Sequence, residues 1–120
     1  MDRADFEQLV EEAIDSLPAD FAAHLDNVTV MVEDLPTRDQ LEEVGLHDQY
    51  ELLGLYEGIP LTERPGVYAG VLPDRISIFR LPIERLCGSD GEAIKKQVRE
   101  TVMHELGHYF GMDEEQLRDI

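Results

Sequence analysis

Apolar residues near the start of the chain recur every three to four positions. Phe6, Leu9, Val10, Ala13, Ile14 and Leu17 share one side of a helix, so the spacing predicts an amphipathic helix over about residues 2–17, ended by Pro18. Val28-Thr29-Val30-Met31-Val32 is β-branched and continuous, which predicts a strand closed by Pro36. Thr37-Arg38-Asp39-Gln40 has the form of a capping box ahead of Leu41 and Val44, and predicts a short helix ending near Gly45. From Leu52 to Pro65 the breakers Gly54, Gly58, Pro60 and Pro65 predict loop. Val67–Val71 and Arg75–Arg80 predict two strands, with Pro73-Asp74 as the turn of a hairpin between them and Pro82 as the stop. In the second of these, Ile76 and Ile78 face one side, and Arg75, Ser77 and Phe79 the other.

The final long helix is predicted from about Asp90 to Phe110. A capping box from Ser89 to Glu92 opens it, and Gly111 ends it in the left-handed conformation that glycine adopts without strain. Ile94, Val98 and Val102 make one apolar stripe. Beyond residue 100, Val102, Met103, Leu106, Tyr109 and Phe110 spread around the circumference. A helix apolar on several faces is buried, so its second half belongs inside the domain. Its first half, with Glu92, Lys95, Lys96 and Arg99, stays wet. Asp113–Ile120 is expected to add one short helical turn.

Length and composition then narrow the class. The chain has 120 residues, 42% hydrophobic and 31% charged, which predicts one globular domain over residues 1–120 with a small core. Twenty-seven acids against ten Lys and Arg leave a net charge of −17. That argues against nucleic acid or an anionic membrane as partner, and favours cations: metal ions, basic peptides or basic proteins. The single cysteine, Cys87, cannot form an internal disulfide. The first ten residues carry three acids where an export signal needs a basic start, and no apolar run is long enough to span a membrane. The expected location is cytoplasmic, and the expected state by default is a monomer.

Candidate chemistry lies in the buried half of the last helix, at His104-Glu105-Leu106-Gly107-His108. Histidines four apart project from one helical face about one turn apart, a spacing that lets both imidazoles reach one zinc ion. Glu105 lies 100° round from His104, too far off the shared face to be a third ligand. It is placed to take a proton from a metal-activated water and return it to a leaving amine. In chains of this composition His-Glu-x-x-His arises by chance in about one or two per hundred, and with Gly three residues later in roughly one per thousand. Two buried histidines beside a buried glutamate are costly without a metal or other partners, which weighs against an ordinary core helix.

A catalytic zinc takes three protein ligands and an open position. Gluzincins draw the third ligand from a helix well downstream, but only twelve residues follow His108. Metzincins place a third His three residues after the motif Gly. Here Gly111 is present, but no His follows His108. The residue at that position is Glu114, the favoured third ligand, with Asp113 as its close rival. His24 and His47 are further ligand types, but a lone histidine in a loop or at a helix end is more often on the surface. Tyr56, Tyr68, Tyr109 and Arg80 are candidates by type for stabilising an oxyanion.

Three segments together resemble a known family: Leu53-Gly54-Leu55-Tyr56-Glu57-Gly58, Pro73-Asp74-Arg75-Ile76-Ser77-Ile78-Phe79-Arg80, and His104-Glu105-Leu106-Gly107-His108-Tyr109-Phe110-Gly111. They look like the small bacterial zincin-like metallopeptidases, or minimal zincins, over roughly residues 50–117. The resemblance implies an α+β fold, with a small mixed β-sheet packed on an N-terminal helix and a buried active-site helix. It also implies a soluble bacterial protein. That family usually carries an acid, often Asp, three residues after the motif Gly, where this chain has Glu114 preceded by Asp113.

The activity expected is hydrolysis of a peptide or protein substrate. Zinc held by His104, His108 and Glu114 would polarise the scissile carbonyl, with Glu105 as general base and then acid. Substrate would lie along a sheet edge formed by Val67–Val71 or Arg75–Arg80. Two alternatives are a non-catalytic metal-binding interaction module and a subunit whose partner completes the cleft.

Overall fold

Asp2 starts the first helix: its carboxylate accepts the Asp5 backbone N–H at 2.9 Å, satisfying a donor that has no partner within the helix. Helix α1 (Arg3–Asp15) buries Phe6, Val10 and Ala13, which sit four and three residues apart on one face. It ends before Pro18, with the Ser16 hydroxyl folding back to the Ala13 carbonyl at 2.7 Å. Pro18 is therefore not its terminator. It opens the short helix α2 (Ala19–Ala22), where a missing N–H costs nothing, and a 3-10 turn over Ala23–Asn27 leads into the sheet. The computed structural model describes residues 1–58 and 74–111, apart from the side chains of residues 26 and 27.

Strand β1 (Val28–Glu33) follows. Helix α3 (Arg38–Val44) then begins with both halves of the expected capping box: Gln40 N–H donates to Thr37 Oγ1 at 3.1 Å, and Thr37 N–H donates to Gln40 Oε1 at 2.9 Å. Gly45 ends it at φ 74°, a left-handed turn. A 3-10 turn over Gln49–Glu51 leads to strand β2 (Gly54–Glu57), a segment the glycines predict as loop. Strand β3 (Asp74–Phe79) matches its prediction to within a residue. Val67–Val71, the hairpin turn and Asp113–Ile120 lie outside the described residues.

Among the described residues the sheet has the order β1-β3-β2, with β1 parallel and β2 antiparallel to β3. This is the small mixed sheet of an α+β fold. Because β3 is central, Ser77 and Phe79 are buried as fully as Ile76 and Ile78 on the opposite face. Centrality also overturns one expectation: Arg75–Arg80 cannot offer a substrate-binding edge, since both sides of β3 are already paired. The free edges among the described strands belong to β1 and β2.

Pro82 does not simply stop β3. It lies in the first turn of helix α4 (Arg80–Cys87), where a backbone N–H would have no intrahelical partner, so its absence in proline costs nothing. Helix α5 (Gly91–Tyr109) is capped by Asp90, not Ser89: its carboxylate accepts from Glu92 and Ala93 N–H at 3.0 and 3.4 Å. Gly111 follows at φ 82°, as its position predicts. The core is a layer between the helices and the sheet. Phe6 and Val10 of α1 and Ile94, Val98, Val102 and Leu106 of α5 pack with Ile76 and Ile78 of β3. Full burial of an apolar side chain of this size contributes about 1.5–3 kcal/mol. The layer fixes the rotation of α5, and so decides which residues of that helix face the water. No described helix is long and apolar enough to cross a membrane.

Candidate metal centre

In its second half, α5 buries Thr101, Val102, Glu105, Leu106, Gly107 and Tyr109, more than half of its circumference. His104 and His108 occupy the remaining strip and are only partly covered. Their rings stand 5.2 Å apart, centroid to centroid, at 76°. One ligand atom from each of His104, Glu105 and His108 lies within 4.8 Å of the others. Two imidazoles and a carboxylate this close form a donor set suited to a divalent ion of the zinc type. The half-open His104 gives such an ion, and a water, a way in.

Glu105 behaves differently from a simple projection around the helix. Its Oε1 accepts the Tyr56 backbone N–H at 2.8 Å, while Oε2 stands 4.0 Å from His104 Nε2. The carboxylate is nine-tenths covered, the His104 ring only about 60%. One oxygen is thus held by the sheet and the other faces the imidazole side.

The local fold explains that contact. Phe79 N–H donates to Leu53 O at 2.9 Å, which sets the pairing phase along the strand. Leu55 and Glu57 then turn their backbone groups toward β3, and Tyr56 turns its own away from the sheet, off the β2 edge. Glu105 meets the Tyr56 N–H there. Gly54 makes the approach possible, since a Cβ on it would stand 2.5 Å from Thr101 Cγ2 of α5 and 3.1 Å from Ser77 O. Only a residue without a side chain lets β2 lie this close to the helix.

Aromatic contacts fix the C-terminal end of α5. Tyr56 packs on Tyr109 at 5.9 Å, and Phe110 meets Phe21 at 6.3 Å. His24, one of the extra ligand types, stands edge-on to Phe110 at 4.7 Å and to Tyr109 at 6.3 Å, so it serves this packing. His47 is exposed and outside the three-residue group. Glu114 and Asp113 lie outside the described residues, as does Tyr68.

Arg80 does not serve the centre. Its guanidinium binds Asp34 at 3.0 Å and Glu84 at 3.3 Å, and the hydrogen bond it donates to Asp34 leads the causes that raise its pKa above the ordinary arginine value. Tyr56 stands beside the centre, yet the group that touches Glu105 is its backbone N–H. Residue type carried no signal for that; only strand pairing reveals it.

No curated protein matches the chain. The family model described as zincin-like metallopeptidase matches residues 25–120, which takes in the sheet, α4 and all of α5. The chain therefore belongs to the zincin-like metallopeptidase family.

Proposed function

We propose that the protein is a zinc-dependent peptidase. His104 and His108 would hold the metal, Glu114 would complete the ligand set, and Glu105 would serve as general base and then general acid. The observation that carries this reading is the divided Glu105 carboxylate, with one oxygen fixed by Tyr56 N–H and the other directed toward His104. The tie to Tyr56 uses only Oε1; Oε2, on the histidine side, stands where a proton acceptor would be needed.

When bound, zinc supplies Lewis acidity, acidifying a water and polarising a carbonyl. Glu105 Oε2 would take the proton of the attacking water as the water oxygen adds to the carbonyl carbon. Glu105 then delivers the proton to the departing amine as the C–N bond breaks. The Tyr56 N–H keeps the carboxylate from swinging into solvent between these two transfers. Half-open histidines fit a centre that must admit substrate. A structural zinc is closed by four protein ligands, so the same exposure weighs against the interaction-module reading.

The test compares zinc-loaded wild type with Glu105→Gln on end-blocked, internally quenched peptides. The reading expects cleavage by wild type, a loss of about 100-fold or more in the variant, and equal zinc content in both. Equal cleavage by the variant, or none by loaded wild type on any sequence, would contradict it.

A further inference from the structure

A cleft of about 320 Å³ opens between α5, from Gln97 to Glu105, and the chain entering β2. It is continuous with the centre, because His104 and Glu105 form its inner end. Leu52 and Leu53 line it from the strand side, and Gln97 and Glu100 from the helix. The volume is at the lower end of the roughly 300–1,000 Å³ of small-ligand sites, enough for one extended side chain.

Its chemistry is one-sided. Gln97 Nε2 donates to Thr101 Oγ1 at 3.1 Å, which uses one of the two N–H groups of that amide. Glu100 is exposed and acidic. No Lys or Arg lines the cleft among the described residues. The helix's own cations stand elsewhere. Lys95 pairs with Glu92 at 2.9 Å and lies near Glu12 and Arg99, on the side of α5 opposite Glu100. Lys96, one turn before Glu100, makes no ion pair with it among the described residues. Glu100 also sits one turn before His104, about 6 Å along the helix axis. An extended lysine or arginine side chain spans about that distance.

We infer that this cleft receives a lysine or arginine side chain of the substrate, next to the bond to be cut, with its aliphatic stem on Leu52 and Leu53 and its cationic tip at Glu100. The inference rests on the peptidase reading and adds a substrate class to it. Apolar walls favour a stem of several methylenes, which a bare N-terminal ammonium lacks. The Glu100 carboxylate disfavours aspartate and glutamate. The net charge of −17 adds long-range attraction for basic chains.

Binding and cleavage test it separately. Binding uses zinc-loaded Glu105→Gln, whose side-chain carbonyl can still accept from Tyr56 N–H. Two end-blocked peptides are compared, identical but for lysine against its uncharged isostere norleucine. The expected result is roughly threefold to tenfold tighter binding of the lysine peptide, with the preference abolished by adding Glu100→Gln and weakened by salt. Cleavage by wild type should show the same preference in kcat/KM, and Glu100→Gln should lose it. Equal binding of the two peptides, or a preference that survives Glu100→Gln, would overturn the assignment. A lysine preference in binding without cleavage of either peptide would uphold the cleft and reject the peptidase reading.

Discussion

The backbone N–H of Tyr56 donates to Glu105 Oε1 at 2.8 Å, joining residues 49 apart in sequence. This bond ties the edge strand to the helix that carries both histidines, and it gives Glu105 a structural role beside the chemical one proposed for it. The two roles separate by substitution. Glu105→Gln keeps an acceptor for Tyr56 and should leave stability within about 0.5 kcal/mol of wild type, while removing the proton acceptor. Glu105→Ala should cost about 1–3 kcal/mol, because a part-buried N–H loses its partner. Urea unfolding of the two variants checks this, and equal midpoints would contradict it.

At Gly54 β2 lies too close to α5 to leave room for a side chain. Gly54→Ala should destabilise by about 1–3 kcal/mol, since the new methyl meets Thr101 Cγ2 at 2.5 Å. Thr101→Ser removes that methyl and keeps the hydroxyl that Gln97 uses, so the double variant should recover part of the loss. Strictly additive effects in thermal unfolding would show that the clash does not decide the cost.

Much of this architecture was legible in the sequence, and the failures share a cause. Helices α1, α3 and α5 carry their own signals: Phe6, Val10 and Ala13 on one face, the Thr37–Gln40 box, Gly111 after the last turn. The juxtaposition of His104 and His108 was legible for the same reason, since helical spacing alone sets it. Strand β2 was not, because its four residues begin with a glycine and its extended shape comes from pairing with β3. Helix α4 was hidden by Pro82, which marks a helix start as readily as a strand end. The grip of Tyr56 on Glu105 depends on the phase of strand pairing, which leaves no trace in side-chain identity. Gln97 and Glu100 were within reach, as they lie seven and four residues before His104 on its own face.

The start of α5 offers a smaller test. Asp90→Ala should cost about 0.5–2 kcal/mol, since its carboxylate satisfies two backbone donors. Ser89→Ala, one residue earlier, should be nearly silent. A larger effect at Ser89 in thermal unfolding would move the cap back to the residue the sequence pattern favours.

Cys87 gives a chemical probe of the same region. Burial, followed by the nearby Asp90 and Glu100 carboxylates, pushes its thiol up from the ordinary range. The thiolate is the reactive form, so alkylation at pH 8 should run at least about tenfold slower in the native protein than in urea. The raised value also means that the folded state favours the protonated thiol. The associated stability is full below the unfolded thiol's pKa, about 8.5, and is lost as pH rises through the higher folded value. Equal alkylation rates in the two states would contradict both statements.

The central claim is that His104 and His108 hold a zinc ion, and elemental analysis of purified, zinc-supplied protein tests it most directly. Wild type should carry one zinc per chain, and His104→Ala, His108→Ala and Glu114→Ala should each lose it. Zinc kept by Glu114→Ala alone would move the third ligand to Asp113 or another group. A wild-type protein without zinc, or His108→Ala retaining it, would contradict the account.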